Sequence, residues 1–206
     1  CQSASCWETN ECVGSDRSGD VIVFAPWGAI KVKLLIAEVS IEEFKIWNTY
    51  RYEARAMMLD LLSRRSKRVV RFGHVIDCHG ATLAFRKVTQ YVREWSVGES
   101  TRTVPPMHAS THFVRSSGIL SSVFQFYKRM FNARQMENMR MTSGADPFSE
   151  SANFAARFER SALPIDVGGT RTIGEGGQCC RGVDLPSLND SDAVWGFYEA
   201  LLSPSL

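Results

Sequence analysis

Asp77-Cys78-His79-Gly80 is the one stretch of this sequence in which a carboxylate, a thiol and an imidazole stand side by side. It closes the apolar run 69–77, which reads as a strand, and α/β sheets place their ligands outside the carboxyl ends of strands. There Asp77 suits a nucleophile or a metal ligand and His79 a base, the outline of a hydrolytic or phosphoryl-transfer enzyme. No second acidic cluster and no nucleophile motif accompany the pair. Aspartate at a strand end more often caps the following turn, and Cys78 reads as a small buried thiol. Gly80 permits a tight exit from the strand.

The remaining chemical candidates fail on context. His108 and His112 are four apart, a metal spacing on a helix, but Pro105-Pro106 and an alternating pattern argue for a strand there. His74 alternates within a strand and reads as a core or surface histidine. Cys1, Cys6 and Cys12 lack paired metal spacing, and adjacent Cys179-Cys180 is not a zinc motif. Gly174-Glu175-Gly176-Gly177 follows no strand and opens no apolar helix, so it is not a phosphate loop. No metal site and no cofactor are expected.

Net charge narrows the partners. A balance of +2 and a pI near 8.3 give no global field for nucleic acid or an anionic membrane. The aromatics fall mainly on helices, whereas single-strand readers interleave them with basic residues on strands, so no nucleic-acid partner is expected. The local basic run Arg64, Arg65, Lys67 and Arg68 reads as a solvated helix end, with a phosphate-binding or membrane-facing patch as the alternative. No window is apolar enough to span a bilayer, since 21–36 is interrupted by Pro26, Gly28, Lys31 and Lys33. Six cysteines are too few for a disulfide scaffold in 206 residues, which suggests a reducing, cytoplasmic compartment. That length suits one domain with a substantial core. A chain that starts with Cys1 is expected to be a fragment or a processed product.

The elements that would position these residues follow from periodicity. Residues 1–19 are small and polar without period and read as a disordered tail. Two short strands, 20–24 and 29–35, flank a Pro26-Trp27-Gly28 turn. Ser40-Ile41-Glu42-Glu43 is a capping box opening a helix to about residue 65, with Phe44, Trp47, Tyr50, Ala54, Met57, Met58, Leu61 and Leu62 on its inner face. After strand 69–77 come a helix over 83–95, a strand over 111–115, a strand within 136–143 and a helix over 149–161. Strand and helix alternating in this way predict an α/β fold with a mostly parallel sheet covered by helices. The folded domain is expected over 20–185, and 186–206 would add an amphipathic helix, 192–202, packed on or near it.

One helix is unlike the rest. In 118–131 the residues Ile119, Leu120, Val123, Phe124, Phe126, Tyr127, Met130 and Phe131 fill one arc, and Ser121, Ser122, Gln125, Lys128 and Arg129 fill the other. A face this rich in Phe, Tyr and Met fits a buried core helix, and equally the wall or lid of an apolar cavity.

In their order, four landmarks resemble the CRAL-TRIO lipid-binding domain family. They are an Arg-Tyr-Glu element at 51–53 ahead of a strand ending in Asp77-x-x-Gly80, and Pro105 before the strand at 112–114. Next come Tyr127-Lys128-Arg129-Met130-Phe131 before a short alternating strand, and Leu163-Pro164 with Gly168-Gly169. The likeness covers roughly 21–169. It implies a parallel sheet flooring an apolar pocket, a gate helix over 119–131, and a non-enzymatic carrier holding one lipid or other hydrophobic molecule, with transient contact to a membrane surface. Leu120, Val123, Phe124, Tyr127 and Phe131 would be pocket or gate residues, with Tyr91 and Met139 as further lining. Arg115 would meet a polar headgroup or form a surface salt bridge. Arg115-Ser116-Ser117, Pro106 and Asn138 depart from the family's pattern, which argues against inositol-headgroup recognition. A ligand-free regulatory or scaffold domain on the same fold is a further alternative.

Overall fold

The computed structural model describes residues 11–95, 107–118, 124 and 136–172. Five strands form one sheet in the order β1 to β5: β1 Glu11–Ser15, β2 Val21–Pro26, β3 Phe72–Asp77, β4 His108–Val114 and β5 Met139–Met141. β2 to β5 are parallel, and β1 is antiparallel to β2. The fold is therefore α/β, as the strand and helix alternation predicts. The described helices between β2 and β4 lie on the face of the sheet that presents Val21, Val23 and Phe72.

Those helices are α1 Val32–Glu38, α2 Ile41–Ser66 and α3 Phe85–Trp95. α2 begins where its capping box demands. The Ser40 hydroxyl accepts from the Glu43 amide at 3.2 Å, and the Glu43 carboxylate accepts from the Ser40 amide at 2.9 Å. The Ser40 amide and the Ser40 hydroxyl, which donates to the same carboxylate at 2.7 Å, both favour the ionised acid and hold the Glu43 carboxyl below its ordinary range. On the sheet, Met58 and Leu59 of α2 pack with Val21, Val23 and Phe72. Phe44 of α2 joins Leu35, Phe85, Val88 and Tyr91 in a second cluster between the helices.

The opposite face is sealed by the chain after β5. Ile22, Phe24, Val75 and Val114 pack against Phe154, Phe158, Leu163 and Val167, each of these last four at most 1% exposed. This cover is built from α4 Pro147–Glu150, α5 Ala152–Arg157 and two short 3-10 turns. Asp146 and Ser151 cap α4 and α5 by accepting from the Phe148 and Phe154 amides. Each fully buried aromatic or branched side chain here contributes about 1.5–3 kcal/mol.

Three expectations are corrected. Glu11–Ser15, read as part of a disordered tail, is β1: its backbone finds a partner in β2, which composition cannot reveal. Residues 29–35, read as a strand, belong to a 3-10 turn at Trp27–Ala29 and to α1, where Leu35 is buried and Val32, Ile36 and Val39 pack beside it. The helix read over 149–161 is broken, because the Ser151 cap starts a new helix and α5 ends at Arg157. No helix among the described residues is long and apolar enough to cross a membrane. The loop at 174–182 and the helix at 192–202 lie outside the described residues.

Candidate lipophile site

The turn after β2 is pressed onto the end of β3. A side chain at Gly28 would place its Cβ 1.5 Å from the His79 carbonyl oxygen, so only glycine allows this approach. Gly80 exits β3 with φ +80. The close packing of these two turns sets Trp27 over the carboxyl end of the sheet. Its ring stacks on Phe85 of α3 at 4.8 Å and meets Phe113 of β4 edge-on at 5.6 Å. Such contacts add about 0.5–1.5 kcal/mol each beyond area burial.

Phe124 completes this wall. Its ring lies 5.1 Å from Phe113 in a T-shaped contact, and it packs with Met141 and Trp27 against Ala25, Ile76, Phe113 and Cys78. Phe124 is half-buried and helical. Two aromatics and a methionine on one end of the sheet, with the ring of Phe124 as a third, give a soft, polarizable surface suited to irregular apolar shapes. Met139 is half-buried two residues before Met141 on β5, so strand alternation puts both on the same face.

The chemistry expected of Asp77-Cys78-His79 is used up locally. Asp77 accepts from the His79 amide at 3.0 Å, the turn-capping role. Arg115 then takes both carboxylate oxygens as a fork, through Nε at 2.8 Å to Oδ1 and through Nη2 to Oδ2. The pair is largely buried, with side chains 8% and 18% exposed. Arg115 holds a left-handed backbone, φ 53, which places its side chain back over the strand end. The residue read as a headgroup contact is thus already answered by Asp77 as a salt bridge. Burial, reinforced by the Asp77 charge, pushes the Cys78 thiol up to about 12, so it stays protonated and unreactive. His79 is exposed. No group of three or more metal-ligating side chains occurs among the described residues.

His108 and His112 are buried among aromatic rings. His112 faces the sealed side of the sheet, its ring 5.5 Å from Phe154 and 5.0 Å from Phe158. Burial first, then the charge of Arg157, lowers it to about 3, and His108 is lowered to about 4 by burial and then by Arg157 and Arg55. Both are neutral in the folded protein at pH 7 and take up a proton near pH 6.5 only on unfolding. Stability is therefore full above pH 6.5 and falls as pH drops from 6.5 toward 4, by about 1.4 kcal/mol per pH unit for each histidine. His112→Leu should flatten that slope in urea denaturation midpoints measured between pH 7 and 4.5. An unchanged slope would mean that His112 protonates in the folded state.

Of the residues read from sequence, Phe124 and Arg115 stand near the carboxyl end of the sheet, and Met139 begins β5, paired with Thr111 in the middle of β4. Tyr91 instead packs edge-on against Phe44 at 5.4 Å in the helix layer, its hydroxyl donating to the Val39 carbonyl at 3.1 Å. Leu120, Val123, Tyr127 and Phe131 lie outside the described residues. Trp27, Phe113 and Met141 were not singled out in sequence. The signal was present: Trp27 sits in a turn just past a strand end, and Phe113 and Met141 share the outward period of their strands.

Comparison with known proteins bears on the fold. No protein-family model matches the chain, and no curated protein matches it. Among solved structures it is similar to Sfh5, with TM-score 0.56 over 71% of this chain at 13% identity. The chain spans 56% of the Sfh5 chain. At that identity the likeness speaks for the architecture alone.

Proposed function

We propose that this chain binds a single lipid or other hydrophobic small molecule at the carboxyl end of its sheet and exchanges it at a membrane surface. The observation that carries this reading is the Trp27, Phe113, Phe124 and Met141 wall, set on a fold similar to that of Sfh5 in a chain whose landmarks resemble the CRAL-TRIO family. Removing a CH₂ from water is worth about 0.8 kcal/mol, but a lipid in a bilayer already has that benefit. A carrier must offer a comparably apolar wall and open it at the membrane. The segment 119–131, with its aromatic face, is assigned the role of gate, and Leu120, Val123, Tyr127 and Phe131 that of lining. A hydrolytic or phosphoryl-transfer alternative needs Asp77 free, and its two oxygens are held by Arg115.

The test is uptake from donor vesicles loaded with a self-quenching fluorescent phospholipid. Protein at stoichiometric amounts should relieve the quenching in proportion to its concentration. No change with protein in excess would count against the carrier and favour a ligand-free scaffold.

A further inference from the structure

Arg55 is a cation in the wrong place for a solvated helix. It lies on α2, three residues after Tyr52 and four before Leu59, both of which pack toward the sheet. The residue is only 4% exposed. Its Nε is buried without a hydrogen-bond partner, and its guanidinium forms no ion pair with any described residue. It rests 5.0 Å above the Phe72 ring and 5.8 Å from that of Tyr52. By contrast, Arg115 and Arg157 are each less buried than Arg55 and each is answered by a carboxylate. A guanidinium whose buried Nε has no partner and whose described contacts are two aromatic rings is a cost to the folded chain, which an arriving anion would offset.

The surroundings state what kind of anion. Phe72, where Arg55 rests, pairs with His108 in register, and the two rings are 5.4 Å apart. His108 is kept neutral by burial, and Arg157, the other cation that acts on it, is already paired with Asp16, which leaves the Arg55 guanidinium as the one cation here among the described residues without a carboxylate. One charge matches a monoanion; a phosphate monoester would bring a second, uncompensated one. The Nε edge of a guanidinium accepts a carboxylate in a two-pronged fork. From Phe72 the same sheet face runs through His74 and Ile76 to the Phe113 and Phe124 wall. Ile76 lies four residue steps along the strand from Phe72, ~13 Å, a span that an extended hydrocarbon tail can cross.

We infer that Arg55 anchors the carboxylate of an acidic lipophile whose tail lies toward Phe113 and Phe124. This rests on the lipophile-binding reading and narrows it to a ligand class, long-chain monocarboxylic acids. The test compares oleate with methyl oleate, which has the same tail without the charge, and with acetate, which has the charge without the tail. Binding to the delipidated full chain is followed by displacement of a fluorescent lipid and by thermal shift.

Wild type should bind oleate at least ~10-fold more tightly than methyl oleate, about 1.4 kcal/mol, and acetate should neither displace the probe nor raise the melting temperature. Arg55→Met should erase the oleate preference, leave methyl oleate unchanged and raise the melting temperature of the ligand-free protein, because a buried unpaired charge is gone. Equal affinity of the wild type for oleate and methyl oleate would overturn the anchor while leaving the carrier standing, and needs no variant. Binding of neither lipid would overturn the carrier itself. Acetate protecting as well as oleate would reassign Arg55 to a small free anion and overturn the lipid assignment.

Discussion

Phe124→Asp is expected to lower uptake of a fluorescent lipid at least ~20-fold, whereas Gln125→Asp leaves it within about twofold. The asymmetry follows from position. Phe124 meets Phe113 edge-on and shares a cluster with Trp27 and Met141, so an aspartate there puts a carboxylate against an apolar wall. A charge in such surroundings, with no partner, repels hydrocarbon and draws in water. Gln125 belongs to the polar arc of the sequence pattern with Lys128 and Arg129, where a carboxylate changes little. Circular dichroism should show both variants folded, and Phe124→Ala should give an intermediate loss by leaving a gap without a charge. Equal loss in the 124 and 125 variants would remove the gate assignment.

The second large effect is on stability. Arg157→Ala should cost about 3–5 kcal/mol in urea denaturation, a large part of a small domain's total of about 5–15 kcal/mol. Arg157 reaches from the end of α5 to the β1–β2 turn, where Nε and Nη2 both lie 2.8 Å from the Asp16 carboxylate and Nη2 lies 3.8 Å from that of Asp20. The two acids are 1% and 3% exposed. Asp16 also accepts from the Ser18 and Asp20 amides at 2.9 Å, and Asp20 accepts from the Arg71 amide at 3.1 Å. Arg68 and Arg71 at 3.4 and 3.7 Å reach only Asp20. Removing Arg157 therefore leaves the Asp16 carboxylate buried and without a cation, and removes one of the ties between the C-terminal cover and the sheet edge. Arg157→Lys should recover only part, since one ammonium cannot reproduce the fork. A loss below about 1 kcal/mol for Arg157→Ala would mean that water replaces the guanidinium.

What could be read in the sequence was what local chemistry dictates. The Ser40 and Glu43 box is a short-range device, and α2 starts where it stands. The parallel sheet followed from strand and helix alternation, because crossover connections leave few other arrangements. The turn-capping role of Asp77 was legible for the same reason. What escaped was tertiary. β1 has no period of its own and is a strand only because β2 offers it a ladder. Residues 32–39 carry apolar side chains at nearly every position, so period two and period 3.6 both fit, and packing against α3 decides for the helix. Arg55 drew no reading from the sequence, where only the basic run that ends α2, with Arg64 and Arg65, reads as a solvated helix end. Its place among Tyr52, Met58 and Leu59 marks it only once the buried side of the helix is known. The partner of Arg115 was hidden likewise, since Asp77 is 38 residues away in sequence.

The central claim, that this fold holds one hydrophobic molecule against the Phe113 and Phe124 wall, is tested most directly by native mass spectrometry of the purified chain. The expected spectrum contains the protein with a single small-molecule adduct that leaves on collisional heating, extracts into organic solvent, and is missing from Phe124→Asp. A spectrum of bare protein alone, unchanged after incubation with lipid vesicles, would contradict it.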